Sequence, residues 1–267
     1  MNYEIIVIGE SCYDTFILGN VNRLSPEAPI PIVNPIETIQ NFGMSGNVYA
    51  NISALKPNVS IDHIYQKDFK MMNKIRYVDK VSGYILLRVD ENDKVKERID
   101  VDETTKHIES QIPFLKAVVI SDYNKGFLSE EDIEKISSFC FEKSVPVFLD
   151  TKKILGHWSS NITFVKINQK EYENQIEHLD NPIKYCKNLI VTKGSLGSCW
   201  INENILIPTE ESEVRDVAGA GDTYLSAFVV KYITSNDVKE SMKYANKAAT
   251  FAVSKQGVVI VNKQDLE

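Results

Sequence analysis

The sequence lacks the segments that mark a membrane protein or a nucleic-acid-binding protein. No block of Lys and Arg stands out, and 37 acidic against 30 basic residues give a formal net charge of −7. That balance disfavours nucleic acid as the main partner, although backbone amides at a helix N-terminus can still bind phosphate. The apolar run at residues 5–8 follows no basic region and is too short for a signal peptide or a membrane span. We therefore expect neither a membrane nor a nucleic-acid partner.

Cysteine is scarce, and the glycine signature of dinucleotide binding is missing. The four cysteines are widely spaced and form no C-x-x-C pair. This spacing predicts buried thiols in a reducing compartment, the cytoplasm, rather than disulfides or a zinc site. After the first apolar run the chain reads Gly9-Glu10-Ser11-Cys12, without the G-x-G-x-x-G of Rossmann dehydrogenases. A dehydrogenase is therefore set aside.

Short apolar runs recur along the chain, and each stops at a polar or glycine residue. They cover residues 5–8, 117–120, 147–149, 164–167 and 189–192. Because most of them are continuous rather than alternating, they are typical of parallel strands covered by helices on both faces. Helical segments such as 129–143 lie between them. The pattern predicts an α/β fold with a doubly wound, mostly parallel sheet.

Polar residues follow these runs at the point where each strand ends. In doubly wound sheets, ligands bind at the carboxyl ends of the strands. The residues that we expect to converge at this edge are Asp14, Asp122, Asp150, Asn168 and Lys193.

Two stretches break the alternation of strands and helices. Residues 18–38 are rich in proline, and residues 77–90 alternate around a turn at Ser82-Gly83, so both are predicted to be hairpins or edge strands. We expect one domain over residues 1–267, with a small β-sheet lid formed by about 11–40 and 75–100.

A small-residue loop that runs into a helix carries the strongest chemical signal. Gly219, Ala220 and Gly221 leave the backbone N–H groups of the helix start uncovered. Such N–H groups stabilise a developing negative charge, and Asp222 beside them can take a proton from a substrate hydroxyl. The alternative is that Asp222 only caps the helix, a common role for Asp at this position.

The run from Asp216 to Phe228 resembles the C-terminal signature of the ribokinase-like (PfkB) carbohydrate kinases. The resemblance implies that the Gly219 to Gly221 loop forms the anion hole and that Asp222 is the catalytic base. It also implies a ribokinase-like fold that binds ATP together with Mg²⁺.

Further segments resemble, in the family's order, those that bind the nucleotide. They are the N-x-x-E motif of residues 168–171, the turn of residues 191–197, the helix segment of residues 245–249 and the glycine after it. Asn168 and Glu171 are implied to hold Mg²⁺ indirectly, through phosphates or water. The implied nucleotide-binding residues are Asn168, Glu171, Thr192, Lys193, Gly194, Gly197, Asn246 and Gly257.

The N-terminal half is similar to a subgroup, the bacterial D-glycero-D-manno-heptose 7-phosphate kinases. Residues 23–33 match the subgroup's R-[IL]-S-P-E-A-P-x-P-V run, and residues 121–126 match its S-D-Y-x-K-G stretch. The implied substrate-binding residues are Asp14, Gly43, Asn47, Asp122 and Lys125.

Three departures from the family pattern concern the sugar end. Met44 stands where the family has a second glycine, and Glu10 replaces an early Asp. Residues 56–74 contain no glycine and replace a longer strand-loop-helix unit, so the reaction class is better supported than the identity of the sugar.

The sequence therefore predicts ATP-dependent phosphoryl transfer to a hydroxyl of a sugar or sugar phosphate. The first candidate substrate is D-glycero-D-manno-heptose 7-phosphate, giving the 1,7-bisphosphate. The alternatives are a kinase for another sugar or a nucleoside, and a non-catalytic sugar or nucleotide sensor. The resemblance implies the kinase alone, without the nucleotidyltransferase domain that is often joined to it, and a homodimer through the lid.

Overall fold

A central sheet of eight strands organises the chain in this computed structural model, which describes residues 2–267. Neighbouring strands are parallel except at one edge, where the last two pair antiparallel. The predicted mostly parallel sheet is therefore confirmed. From edge to edge the strands are β12 (Ile205–Ile207), β11 (Ser198–Trp200), β10 (Leu189–Thr192), β9 (Phe164–Asn168), β8 (Val147–Thr151), β7 (Ala117–Asp122), β1 (Ile5–Gly9) and β4 (Ile61–Ile64).

Helices cover both faces of the sheet. The predicted start at Ser129 is confirmed, because its side chain accepts a hydrogen bond from the N–H of Asp132 at 3.2 Å and the Asp132 carboxylate accepts one from the N–H of Ser129 at 2.9 Å. The helices are α1 (Ser45–Leu55), α2 (Val101–Gln111), α3 (Glu130–Glu142), α4 (Gln169–His178), α5 (Ala220–Ser235) and α6 (Val238–Val253). Short 3₁₀ segments are Phe69–Met71, His157–Ser159, Pro182–Tyr185, Gly194–Leu196, Ile201–Glu203 and Lys263–Leu266.

Alternate residues of each central strand enter opposite cores. In β1, Ile5 and Val7 pack with side chains of α1, α5 and α6, whereas Ile6 and Ile8 pack with side chains of α2 and α3. All four are fully buried. Each such side chain contributes about 1.5–3 kcal/mol of transfer free energy, so strand positions 5–8 anchor both layers.

A second sheet of four strands stands at the end of the central one. It consists of two antiparallel hairpins, joined by parallel pairing between the strands that follow β1 and β4. Residues 92–100 add no strand to it. In order, its strands are β3 (Pro31–Met44), β2 (Ser11–Leu24), β5 (Asn73–Asp79) and β6 (Ile85–Glu91).

The position of Asp14 corrects one expectation. Asp14 belongs to β2 of the small sheet and not to the carboxyl edge of the central sheet, because only Glu10 separates β1 from β2. The chain therefore runs from the central sheet directly into the small one.

The shortened segment of residues 56–74 forms the edge strand β4 and one 3₁₀ turn. Aromatic rings cover this region: His63 stacks on Tyr49 at 5.3 Å, and Tyr65 meets Phe69 edge-on at 4.9 Å. A compact aromatic cluster thus occupies the place where the family pattern predicts a glycine-rich unit.

All four cysteines are buried free thiols. Within residues 2–267, no helix is both long and apolar enough to span a membrane.

Candidate active site

Polar side chains converge in a pocket of about 190 Å³ at the carboxyl ends of the central strands. The ends of β7, β8 and β9 contribute one wall, and the start of α5 contributes the other. The residues lining it are Asp122, Tyr123, Asp150, Lys152, Lys166, Asn168, Glu171, Val217, Gly219, Gly221 and Asp222.

Asp222 lies in the first turn of α5 and does not cap it. The helix cap is Gly219, in the left-handed region at φ 78°, and no side chain makes a capping hydrogen bond there. A Cβ on Gly219 would lie 2.8 Å from Nδ2 of Asn47, so a side chain at this position would both strain the turn and collide. The capping interpretation of Asp222 is therefore wrong, and its carboxylate is free to face the pocket.

Two neighbours hold the carboxylate of Asp222. Nδ2 of Asn47 donates to Oδ2 at 3.0 Å, and the phenol of Tyr123 donates to Oδ1 at 2.8 Å. Burial raises the pKa of Asp222 to about 6, with a further contribution from the charge of Asp150, while both hydrogen bonds and Lys166 oppose the shift. The result is a carboxylate whose pKa lies close to neutral pH, which suits a general base.

A chain of amides fixes Asn47. Its Oδ1 accepts a hydrogen bond from Nδ2 of Asn51 at 2.9 Å, and Oδ1 of Asn51 accepts the backbone N–H of Val261 at 3.0 Å. Because the oxygen of Asn47 is already used, its NH₂ group must point toward Asp222.

Glu10 organises the loop after β7. Its carboxylate accepts the backbone N–H groups of Tyr123 and Lys125, both at 2.9 Å, and that of Phe127 at 3.3 Å. Burial raises the pKa of Glu10, as does the charge of Asp122. The exchange of the family's early Asp for Glu therefore supplies a buried acceptor that positions Tyr123.

Asn168 and Glu171 form a reciprocal capping box at the start of α4. Oδ1 of Asn168 accepts the N–H of Glu171 at 2.9 Å, and Oε2 of Glu171 accepts the N–H of Asn168 at 2.8 Å. Lys152 donates to the other oxygen, Oε1, at 2.9 Å. Burial raises the pKa of Glu171, but the hydrogen bonds from Asn168 and Lys152 outweigh burial and lower it. The group is therefore an ionised carboxylate.

The donor set suits a magnesium ion that keeps water and phosphate ligands. Among the described residues there is no cluster of three or more His, Cys, Asp or Glu that could hold a metal directly. One carboxylate and one amide oxygen, from Glu171 and Asn168, fit a Mg²⁺ that is bound mainly through substrate phosphates.

Asp122 lines the pocket but is already neutralised. Lys153 donates to both of its carboxylate oxygens at 2.7 Å, and Thr151 donates to Oδ2 at 2.6 Å. The side chain of Asp122 is inaccessible to solvent. This arrangement ties β7 to the start of the loop after β8.

The small sheet brings Asp14 to the other side of the cleft. Asp14 pairs with Arg76 of β5 at 2.5 Å, and both side chains are at least nine-tenths buried. A Cβ on Gly43 would lie 2.2 Å from Oδ2 of Asp14, so only glycine allows this approach of β3 to β2. Lys125 forms a salt bridge with Asp93.

Met44 adopts a backbone conformation that normally belongs to glycine. Its φ is 57° and its ψ is −133°, and it precedes the first residue of α1. The side chain is 1% exposed and packs with Cys12 and Met72, and Tyr123 packs against this cluster. The Met44 side chain therefore fills this buried cluster, and its backbone is strained there.

Six of the eight expected nucleotide-binding residues lie outside the pocket around Asp222. Gly194 begins the 3₁₀ turn between β10 and β11, and Gly257 donates its N–H to Asp216 at 3.1 Å. Asn246 lines a separate groove of about 720 Å³, where its amide donates to the carbonyls of Ile207 at 2.8 Å and Pro208 at 3.3 Å. The structure thus places Thr192, Lys193, Gly194, Gly197, Asn246 and Gly257 away from the base, whereas Asn168, Glu171, Asp122, Gly219 and Gly221 line its pocket.

The sequence did not identify three side chains of the site: Tyr123 on Asp222, Arg76 on Asp14 and Lys166 in the pocket wall. One feature of the sequence could have identified Lys166. It is a lysine inside an otherwise apolar strand, and it lies two residues before Asn168, so both side chains are on the same face of the strand.

Comparison with known proteins is consistent with this geometry. The model of the pfkB family of carbohydrate kinases matches residues 81–265, more than half of the chain. The bifunctional protein HldE of Campylobacter curvus is 28% identical over 302 residues, which cover 99% of this chain and 64% of that protein. HldE of Vibrio parahaemolyticus is 28% identical over 301 residues, 98% of this chain and 62% of that protein. The chain thus spans less than two thirds of the length of these relatives.

Solved structures share the fold at low identity. Arabidopsis thaliana ribokinase complexed with ribose and ATP is 14% identical, with a TM-score of 0.70 over 100% of this chain and 98% of that one. Phosphofructokinase-2 from Escherichia coli in complex with potassium is 18% identical, with a TM-score of 0.72 over 100% of this chain and 97% of that one.

Proposed function

This chain belongs to the pfkB family of carbohydrate kinases, and on that premise we propose that it transfers the γ-phosphoryl group of ATP to a hydroxyl of a phosphorylated sugar. One observation carries the proposal. The buried carboxylate of Asp222 lies in the first turn of α5, directly after the glycine loop of residues 219–221. The N–H of Ala220 donates to the carbonyl of Val217 at 3.3 Å, so the N–H groups of Gly219 and Gly221 are the ones left for a ligand. The base and these N–H groups therefore flank one point in the pocket.

Asp222 would act on the acceptor hydroxyl. As the hydroxyl oxygen forms its bond to the γ-phosphorus, its proton moves to the Asp222 carboxylate and the bond from phosphorus to the β,γ-bridging oxygen breaks. ADP then leaves with that electron pair. The pKa of Asp222, which burial raises to about 6, supports proton uptake near neutral pH.

The loop of Gly219, Ala220 and Gly221 would stabilise the charge that develops on the transferred group through the N–H groups of Gly219 and Gly221, since that of Ala220 donates to Val217. Its N–H groups open the 16-residue helix α5, so the positive end of the helix dipole lies behind them. Because this array is fixed before substrate binds, its orientation costs no reorganisation during the reaction.

The nucleotide would extend from this loop along the strand ends. We assign it the proposed contacts Thr192, Lys193, Gly194, Gly197, Asn246 and Gly257, and Asn168 and Glu171 would hold Mg²⁺ through water or phosphate. When bound, Mg²⁺ supplies charge neutralisation of the phosphates. The capping box keeps Asn168 and Glu171 in fixed positions at the mouth of the pocket.

The sugar would lie between Asp222, Asn47 and Asp14, under the small sheet as a lid, with Gly43, Asp122 and Lys125 at its border. The hydrogen bond from Asn47 to Asp222 supports this placement, because it joins α1 beneath the small sheet to the base. A sugar hydroxyl can then reach Asp222 while its other hydroxyls meet the amide and carboxylate groups around it.

Cations on the cleft side of the small sheet support a substrate that carries a phosphate. Lys74 of β5 is 8% exposed, and its ammonium lies 4.8 Å from the centre of the Tyr123 ring. Its two cross-strand neighbours are Asp14 and Asp90, which are paired with Arg76 and Arg88. Within residues 2–267, Lys74 is thus left without a carboxylate partner, in a buried place where an anion would be favourable.

D-glycero-D-manno-heptose 7-phosphate, giving the 1,7-bisphosphate, is the first candidate for that substrate. The similarity of residues 23–33 and 121–126 to the heptose 7-phosphate kinases supports it, as do the cations at the sugar end. The buried side chain of Met44, at a position where the family pattern has glycine, and the shortened segment of residues 56–74 favour a different sugar as the second candidate.

A second copy of the chain is the proposed partner of the small sheet. Its two edge strands expose large apolar side chains, each between 37% and 56% exposed, on both outer strands. Patches of this kind mark interaction surfaces. The residues are Ile36, Ile39 and Phe42 on β3, and Ile85, Leu86, Leu87 and Val89 on β6.

The experiment that tests the function is ADP release by the purified protein with Mg-ATP. The acceptors are heptose 7-phosphate, fructose 6-phosphate, fructose, ribose and adenosine, and Asp222→Asn runs beside the wild type. Turnover of a sugar phosphate by the wild type, with no turnover by Asp222→Asn, supports the proposal. Turnover only with an unphosphorylated sugar or a nucleoside would show that the acceptor is of that other class. Ligand binding without any turnover would favour a non-catalytic sensor.

A further inference from the structure

A buried ion pair joins the ends of β8 and β9 in the pocket of Asp222. Asp150 and Lys166 are register partners on these parallel strands, and Nζ of Lys166 donates to Oδ2 of Asp150 at 2.6 Å. Their side chains are only 15% and 6% exposed. Because a buried ion pair seldom stabilises a fold more than apolar residues would, its presence here calls for another reason.

The ammonium of Lys166 lies against the glycine loop. A Cβ on Gly221 would lie 2.8 Å from Nζ of Lys166, so a side chain at position 221 would collide with the ammonium. Both residues line the same pocket as Asp222. The positive charge of Lys166 and the N–H groups that open α5 therefore point at one small volume, which is a place for an anion.

The two lysines of the loop after β8 are already paired with other carboxylates. Lys152 is half-exposed and donates to Glu171, and Lys153 donates to both oxygens of Asp122. Lys166 is the cation that meets the loop. Burial alone would lower the pKa of Lys166, but Asp150 outweighs burial and raises it, so the side chain is an ammonium.

We propose that Lys166 is a catalytic residue that donates from Nζ to a non-bridging oxygen of the transferred phosphoryl group, and that Asp150 holds the ammonium against the loop. This inference rests on the proposed function. Lys166 forms and breaks no covalent bond: the acceptor proton goes to Asp222, and the phosphorus exchanges its bond to the β,γ-bridging oxygen for one to the acceptor. The ammonium matches the charge on the γ-phosphoryl oxygens, which ATP has and ADP lacks.

The difference between ATP and ADP provides the test. Calorimetric titration with Mg-ATP and with Mg-ADP is run on the wild type, on Lys166→Met and on Lys239→Met, which removes an exposed lysine of α6. In Lys166→Met we expect ATP affinity to fall at least about tenfold while ADP affinity stays within about threefold, and kcat to fall about 10²- to 10³-fold. Lys239→Met should match the wild type in all three measurements.

A second variant separates the effect from folding. Lys166→Met leaves Asp150 buried without a partner, whereas the double variant Asp150→Asn/Lys166→Met removes both charges and should melt close to the wild type. The double variant should keep the selective loss of ATP affinity. If the folded double variant keeps the wild-type preference for ATP over ADP, the role of Lys166 is overturned, whereas the proposed function is not. A wild type that binds neither nucleotide would overturn the proposed function and this assignment together.

Discussion

The phenol of Tyr123 donates a hydrogen bond of 2.8 Å to Oδ1 of Asp222. The proposed base therefore already accepts a hydrogen bond from a hydroxyl group in the free protein. The ring is held from two directions, with the ammonium groups of Lys74 and Lys152 at 4.8 Å and 5.1 Å from its centre. Tyr123 therefore links the small sheet, the loop after β8 and the base, and it stabilises the ionised form of Asp222.

Removing the phenol hydroxyl of Tyr123 should raise the pKa of Asp222. The carboxylate would then be a stronger base, but it would be ionised only at higher pH. In Tyr123→Phe the ring and its packing remain, while a hydrogen bond that lowers the pKa of Asp222 is lost. Hydrogen bonds to charged groups are worth about 1.5–3 kcal/mol, so we expect the acidic limb of kcat/KM to move up by about one to two pH units. Tyr224→Phe, which removes a buried phenol bonded to Ser198, is the matched control. An acidic limb that does not move would argue against this role.

Asp222→Asn should abolish turnover and yet stabilise the fold. The folded-state pKa of Asp222 is raised from 3.8 to about 6, so the stability of the wild type is highest with Asp222 protonated and is lost as pH rises through this range. From linkage, the advantage of Asp222→Asn should grow by about 1.5 kcal/mol between pH 5 and pH 8. Urea unfolding at the two pH values measures this, with Asp180→Asn as an exposed control. An advantage that does not depend on pH would contradict the raised pKa.

Much of the central sheet was predictable because its signals are local. The strand at residues 164–167 could be inferred from its continuous apolar run, and the start of α3 at Ser129 from its cap and acidic first turn. The loop before α5 was likewise visible, because small residues and Asp222 follow one another directly.

The contacts that complete the site were not predictable, because they depend on strand order and register. Tyr123 and Asp222 are separated by 99 positions, and Arg76 and Asp14 by 62. No local pattern says that β5 lies beside β2 with Asp14 opposite Lys74. Asp14 was assigned to the wrong sheet for the same reason: the apolar run of β1 does not reveal that the next strand leaves the central sheet.

Met44 should show an inverted order of alanine and glycine substitution. Both changes remove the same buried side chain, but only glycine adopts φ 57° and ψ −133° without strain. We therefore expect Met44→Gly to be more stable than Met44→Ala by about 1 kcal/mol, as measured by urea unfolding. At Met242, fully buried within α6, the order should be the ordinary one, with alanine better by about 0.5–1 kcal/mol. The same order at both positions would mean that Met44 is unstrained.

Lys74→Met should weaken binding of a phosphorylated acceptor selectively. Loss of one hydrogen bond between charged groups corresponds to about 1.5–3 kcal/mol, so KM for the sugar phosphate should rise at least about tenfold while KM for Mg-ATP stays constant. The control is Lys80→Met, which removes an exposed lysine next to β5 that pairs with Glu37. An equal rise in KM for an acceptor without phosphate would show that Lys74 acts on packing around Tyr123 instead.

Glu171→Gln separates the structural and functional roles of the N-x-x-E motif. Gln at this position can still accept the N–H of Asn168, so the capping box of α4 and the melting temperature should be retained. The variant nevertheless loses the carboxylate that would hold Mg²⁺, and the Mg²⁺ concentration needed for half-maximal activity should rise several-fold. Glu171→Ala should lose the box as well, at a cost of about 1 kcal/mol of stability. Titration of Mg²⁺ at fixed ATP distinguishes the roles, since an unchanged requirement in Glu171→Gln would leave this motif only the task of starting α4.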